Sequence, residues 1–318
     1  MAPPEVSAAT SVPVDTWVAF CETTAGGSAA GIVHDGSGLA DDEMQSIALA
    51  VGAPATCFIQ DVGPSHVDVR FFSTLTEYGM CGHGSVALLT ALIEAGTVEC
   101  DTEVRRLDLV TPTSRAVMSA RRRTDGRPEV MLSLDPAPVR PTAIAGADLA
   151  DALGASTHVF SAVPMEESPS DFVHLIVPMT GLDALASLAP DFAALTELCE
   201  THGVHTVAAY SPVAGDPANT VRVRDFCPAT GTNEAPATGT TNRAVSGHLA
   251  RHDVRGLGAD GSHTVRAEQG IEMGRPSLIT TSLEVTDGAV TSIAVGGVAT
   301  FLRRVGAAGL PRPDETTG

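Results

Sequence analysis

The sequence predicts an α+β chain of two domains built to a similar plan. Three observations carry this. Residues 67–72 alternate like a strand and lead through Tyr78-Gly79-Met80-Cys81-Gly82-His83-Gly84-Ser85 into a helical run over 86–94. The same order recurs where a strand at 221–226 precedes Ala237-Thr238-Gly239-Thr240-Thr241 and a helix to about His252. Between the two units, residues 135–142 carry Pro136, Pro138 and Pro141 and read as a linker. With 318 residues and 43% hydrophobic content, the chain can bury two cores.

Residues 1–13, rich in Ala, Pro, Ser and Thr, read as a tail. The first domain, 14–135, opens with strands at 15–21 and 30–34. Asp41 is a suitable N-cap for a helix whose Met44, Ile47, Ala48 and Val51 fall at helical spacing. A strand follows at 56–60. The helix after Cys81 is expected to stop at Gly96, which can take the left-handed conformation a helix end requires. Strand patterns at 107–111, 114–121 and 130–134 complete the domain. The second domain, 136–290, reads as helices at 149–153, 182–188 and 191–202 and strands at 173–177, 206–211 and 221–226, before the glycine loop and its helix. A hairpin turning at Asp287-Gly288 joins 279–285 to 290–295. Residues 291–306 are expected as a closing strand returning to the first domain, with 307–318 a tail.

Composition excludes several classes. Nineteen basic residues against 38 acidic leave a net charge of −19, which opposes binding to nucleic acid or an anionic membrane. No apolar run reaches membrane-spanning length and no signal peptide is visible, so a cytoplasmic location is expected. The six cysteines form no C-x-x-C pair, histidines such as His34 and His205 give no ligand spacing, and free thiols in a reducing compartment fit the pattern. No G-x-G-x-x-G or P-loop follows a strand. No metal or cofactor is expected.

The chemistry centres on the two glycine loops. Cys81 falls at a helix N-terminus, where free N–H groups stabilise a thiolate or a bound carboxylate. Gly82 and Gly84 leave the backbone open to a ligand, and Ser85 completes the turn. His83 can relay or orient a proton, or serve as a structural hydrogen-bonding group. In the second loop Thr238, Gly239 and Thr240 supply N–H donors for a carboxylate, or form an ordinary helix cap. If the halves face each other, two positive helix ends converge on one cleft suited to a small carboxylate.

Met80-Cys81-Gly82-His83-Gly84-Ser85 resembles the first catalytic motif of the proline racemases. Residues 222–226 followed by Glu234-Ala235-Pro236-Ala237-Thr238-Gly239-Thr240 are similar to the second motif of the phenazine-biosynthesis PhzF-like isomerases, and residues 268–276 to their C-terminal signature. With residues 31–59, the resemblance covers most of 15–300 and places the chain in the diaminopimelate epimerase-like superfamily. It implies two pseudo-symmetric domains, each a curved, barrel-like mixed sheet around a central helix. It also implies Cys81, His83 and Glu234 as catalytic groups, and Gly82, Gly84, Ser85, Thr238, Gly239 and Thr240 as the substrate-binding set.

The departures matter as much. Ala55 stands where the PhzF-like enzymes carry a glutamate, Ala235 where they carry an aspartate, and Ala237 where racemases carry a second cysteine. One racemase-type thiol remains, with Glu234 as the candidate second acid–base group. The expected function is a cofactor-independent isomerase shifting a double bond in a small unsaturated, cyclic amino or carboxylic acid of secondary metabolism such as antibiotic biosynthesis. A racemase, epimerase or hydroxyproline-type dehydratase, and a carboxylate-binding protein without catalysis, are the alternatives. The partner expected is the small substrate alone, with a homodimer left open.

Overall fold

The computed structural model describes residues 12–170 and 172–307. In chain order the first half holds β1 (Val12–Ala19), β2 (Ser28–Val33), α1 (Asp41–Val51), β3 (Ala55–Val62), β4 (His66–Phe72), β5 (Glu77–Tyr78), α2 (Gly82–Glu94), β6 (Arg105–Val110), β7 (Arg115–Arg122), β8 (Pro128–Leu134) and β9 (Arg140–Pro141). The second half holds α3 (Gly146–Ala152), β10 (Glu166–Ser168), β11 (His174–Pro178), α4 (Leu182–Ala186), α5 (Phe192–His202), β12 (Thr206–Ser211), β13 (Val221–Cys227), β14 (Thr232–Ala235), α6 (Gly239–Arg251), β15 (Gly261–Gln269), β16 (Ser277–Thr286), β17 (Ala289–Gly297) and β18 (Ala299–Ala307).

The strand pairings repeat. In the first half β2 runs parallel to β3, β3 antiparallel to β4, β4 parallel to β6, and β6–β7–β8 antiparallel. In the second, β11 runs parallel to β12, β12 antiparallel to β13, β13 parallel to β15, and β15–β16–β17 antiparallel. Each parallel step needs a crossover, and a helix supplies it: α1 and α2 in the first half, α5 and α6 in the second. The short strands β5 and β14 hairpin onto β4 and β13 at equivalent places, immediately before α2 and α6.

The halves are stitched together at three seams. β8 pairs antiparallel with β17. β9 leaves the first half to pair with β10, and β18 returns from the second half to pair with β1. Hydrogen bonding therefore joins all 18 strands into one continuous mixed sheet.

Each central helix fills a core. Every residue of α2 from Gly84 to Ile93 is buried, as its apolar run of Val86, Leu88, Leu89, Leu92 and Ile93 demands. α6 is buried to a similar extent although it carries Asn242, Arg243, Ser246 and His248. Its apolar residues Ala244, Val245 and Leu249 pack with Val223, Val265 and Leu283. The remaining helices lie outside. Met44, Ile47 and Ala48 of α1 pack with Phe58 and Phe72, and α3 to α5 cover Leu175, Val177 and Val207.

Several boundaries differ from the expectation. α1 is capped from Ala40, whose N–H donates to Glu43 Oε2 at 2.9 Å, so Asp41 is the first helical residue and not the cap. β1 begins at Val12, inside the expected tail, because Val12 and Pro13 pair with Ala307 and Gly306. The rest of the two expected tails, 1–11 and 308–318, lies outside the described residues. Gly96 does take a left-handed φ of 73° after α2, and Asp287 and Gly288 both have positive φ in the hairpin turn.

The β8–β17 seam has no room for a side chain at Gly296, where a Cβ would lie 1.8 Å from the Val130 carbonyl oxygen. Gly296→Ala is expected to destabilise the protein by about 3 kcal/mol. Gly38→Ala, where a Cβ meets nothing within 4 Å, is expected to fall within about 0.5 kcal/mol. Denaturant midpoints of the two variants check this.

Candidate active site

Cys81 is the N-cap of α2 and is 5% exposed. Its Sγ accepts the Gly84 N–H at 3.3 Å and lies 3.4 Å from His83 Nδ1. Burial works against a thiolate there. The His83 charge and hydrogen bond, the Tyr78 hydroxyl and the Gly84 N–H outweigh it and hold the thiol below its ordinary pKa. Burial likewise opposes a charge on His83, but the facing Cys81 sulfur and the Ala29 backbone raise its pKa. Both shifts push the pair toward thiolate and imidazolium. The sign follows for each group. Cys81 contributes stability at high pH that is lost as pH falls through its lowered pKa. His83 contributes stability at low pH that is lost as pH rises through its raised pKa.

The first turn of α2 is thus arranged around the sulfur. Gly84 N–H goes to Sγ, and the Ser85 hydroxyl donates to the Cys81 carbonyl at 2.6 Å, so these two groups hold the cysteine. Gly82 keeps an open face, since a Cβ there would meet nothing within 4 Å. Tyr78 stacks on Phe71 at 6.3 Å between ring centroids. Its pKa is driven up by burial and by the Cys81 charge, which keeps its proton on the hydroxyl. That hydroxyl donates to the Pro54 carbonyl at 3.4 Å and lies close enough to the sulfur to stabilise its charge. Nothing in the local sequence pattern marks Tyr78 as part of the site. Only its fold through the β5 hairpin brings it to the sulfur.

The second loop is held from below. Buried Gln269 donates from Nε2 to the Ala235 carbonyl at 2.8 Å, and its Oε1 accepts from the Thr238 N–H at 3.3 Å and from Asn242 Nδ2 at 2.7 Å. Gly270, at φ 72°, sits where a Cβ would come within 2.8 Å of the Pro236 carbonyl, so the 268–276 segment can press directly on this loop. Thr238, the N-cap of α6, makes no side-chain capping bond. The first-turn N–H groups at Gly239 and Thr240 therefore have no side-chain acceptor and can receive an anion. Neither Gln269 nor Asn242 stood out in the sequence, because a polar residue reads as surface until its burial is known.

The two loops share one apolar floor. Cys81, Cys57, Ala55, Phe20, Ala237 and Val295 belong to a single buried cluster. Burial and the neighbouring Cys81 charge raise the Cys57 thiol, so it stays protonated. Ala55 and Ala237 put buried methyl groups into this floor.

Glu234, expected as a second acid–base group, is held in an ion pair. Its two carboxylate oxygens accept from Arg224 Nε at 3.0 Å and Nη2 at 2.8 Å, with both side chains about nine-tenths buried. Arg224 also donates to the Leu188 carbonyl at 2.8 Å. The pair ties β14 to β13 and α4, and leaves no free carboxylate.

A family model described as phenazine biosynthesis-like protein matches residues 17–304. The chain belongs to the PhzC–PhzF family. An uncharacterized isomerase of Deinococcus radiodurans is 30% identical over 297 residues, 90% of this chain and 91% of that protein. The trans-2,3-dihydro-3-hydroxyanthranilate isomerase of Pseudomonas fluorescens is 29% identical over 281 residues, 88% of this chain and 93% of that enzyme. The crystal structure of a PhzF-family phenazine biosynthesis protein of Bacillus anthracis superposes with a TM-score of 0.83 at 23% identity, covering 93% of this chain and 98% of that one. As a PhzC–PhzF protein with these relatives, the chain is an isomerase. No described helix is long and apolar enough to cross a membrane.

Two variants check the site. Tyr78→Phe removes the hydroxyl beside the sulfur, so alkylation of Cys81 by iodoacetamide is expected to start at higher pH than in the parent. Mass spectrometry of the labelled peptide across pH measures it. Glu234→Ala strands the buried Arg224 charge and is expected to cost about 3 kcal/mol of stability, read from a thermal melt.

Proposed function

We propose that the enzyme moves a proton along one face of a small unsaturated, cyclic amino or carboxylic acid, with Cys81 as the carrier. The observation that supports this most is the asymmetry of the floor: a thiolate-promoting environment at Cys81 and a buried methyl at Ala237. The substrate carboxylate binds the first-turn N–H groups of α6 at Gly239 and Thr240, with Thr238 at its edge, and the open face at Gly82 lets the ring approach the sulfur. The Cys81 thiolate takes a proton from a carbon conjugated to that carboxylate. The electron pair left behind spreads through the double bond into the carboxylate, where the helix end opposes the growing charge. The thiol then returns the proton to the far end of the conjugated system, and the double bond has shifted. His83 stabilises the thiolate between turnovers. A racemase needs a group on each face, and the Ala237 methyl can neither give nor take a proton.

The named activity of the Pseudomonas fluorescens relative, on a cyclic unsaturated amino acid, supports the substrate class. A small-molecule carboxylate is then the partner, and secondary metabolism the setting.

The test is turnover of resolved cyclic unsaturated amino acids in deuterated water. A shifted double bond with untouched stereocentres is expected, with deuterium at the migrated position only to the extent that the Cys81 proton exchanges with solvent before its return. Cys81→Ser is expected to lower the rate by about 10²- to 10⁴-fold. Mixing of mirror-image forms at a rate comparable to isomerisation, abolished by the same substitution, would overturn the one-face reading.

A further inference from the structure

α6 carries a second set of chemically capable groups that proton transfer does not use. His248 and His252 are one turn apart, so their rings share a face, with centroids 4.5 Å apart. Glu166, the first residue of β10, reaches them from the sheet. Its Oε2 lies 3.0 Å from His252 Nε2 and 3.8 Å from His248 Nε2, and the three donor atoms all fall within 4.8 Å of one another. A tetrahedral ion bound at about 2.0–2.1 Å sets its donors about 3.3 Å apart. The two separations bracket that value, and the third, between the two histidine nitrogens, is within 4.8 Å, so side-chain movement alone would close the site.

The surroundings of His248 suit a ligand. Its Nδ1 lies 3.3 Å from the Tyr210 hydroxyl, and its Nε2 2.9 Å from the Pro164 carbonyl oxygen. A hydroxyl can donate or accept. With Tyr210 donating to Nδ1, the proton sits on Nε2 and goes to Pro164. With Tyr210 accepting from Nδ1–H, Nε2 presents a lone pair toward Glu166 and His252, and a cation is needed to reconcile it with the nearby carbonyl. That second arrangement is the outer hydrogen bond that orients metal-bound imidazoles. His248 is fully buried, while Glu166 and His252 at 13% and 21% side-chain exposure leave a path from solvent.

We propose that Glu166, His248 and His252 bind a divalent ion of the zinc class, clamping the C-terminal turns of α6 to β10. Two imidazoles and one carboxylate favour such an ion over magnesium or calcium, which prefer all-oxygen sites. The site goes beyond the proposed reaction. At 1.5 Å of rise per residue it lies about 15 Å along α6 from Gly239 and Thr240. The other grouping of this kind among the described residues, Asp61, His66 and Asp68, is surface-exposed, with Asp61 65% exposed, and has no buried base to orient a ligand.

The experiment titrates chelator-stripped, full-length protein with Zn²⁺ by calorimetry and with Co²⁺ by absorption. One ion per chain and a raised melting temperature are expected, with cobalt ligand-field bands and no sulfur-to-cobalt charge transfer. Glu166→Gln and His252→Gln, both at partly exposed positions that keep side-chain size, are expected to weaken binding about 100-fold or more. Their unliganded melting temperatures show that they fold. Failure of the parent to bind, sulfur charge transfer, or parent-like affinity in both variants would overturn the proposal.

Discussion

A negatively charged sulfur in an apolar floor is unstable unless several groups hold its charge together. At Cys81 these groups come from four places in the chain: the Gly84 N–H on the first turn of α2, the His83 ring two residues on, the Tyr78 hydroxyl from β5, and Ala29 at the edge of β2 behind the imidazole. Three of these lie within three residues of the sulfur, but only the Gly84 N–H and the His83 ring follow from the glycine-rich turn itself. The other two depend on how β2 and β5 are laid beside it. The lowered pKa of Cys81 therefore depends on the sheet around α2 as well as on its first turn, and α2 can be apolar along its buried run because that sheet encloses it.

Duplication explains why a second helix end is available at all. The parallel–antiparallel–parallel order of pairing is identical in the two halves, and each short hairpin, β5 and β14, delivers the chain to the start of a buried helix. Three seams between the halves then make the two units one hydrogen-bonded body. The seams also bring Ile279 and Val295 of the second half into the cluster that contains Cys81 and Ala237.

The repeated strand, glycine loop and helix start were legible in the sequence because each depends on local pattern: alternation in residues 67–72 and 221–226, then a glycine at a helix entrance. α2 could be read from its apolar run. β15 could not, since its residues Ser262, His263, Thr264, Arg266 and Glu268 look like a solvated loop, although Val265, Ala267, Glu268 and Gln269 are buried. The polar members of α6 were legible as helix but not as interior. Arg243 and His248 are accommodated inside by partners distant in sequence, the Asp135 and Pro164 carbonyls. Cys81 and His83 declared themselves through their spacing. Tyr78 and Gln269 did not, because their relation to the site exists only after β5 and β15 have been placed.

The same limit accounts for Glu234. In the sequence it is the nearest acid to Ala235 and Ala237, and so the natural substitute for the groups those alanines replace. In the structure it stands opposite Phe226 in the β13–β14 register, and Arg224, two residues earlier on β13, grips both of its oxygens. A carboxylate in a nearly buried, two-point pair with a guanidinium cannot leave that pair without stranding the cation. The acid that would have made the two halves chemically equivalent is thus committed to holding the loop in shape. What the second half brings beside this floor is a backbone: an uncapped helix start, anchored by Gln269 and pressed by Gly270, with partial positive charge and no titrating side chain at Ala235 or Ala237. In the proposed reaction one half of the fold would carry the proton and the other would receive the charge, a division of labour that favours moving a double bond over inverting a centre.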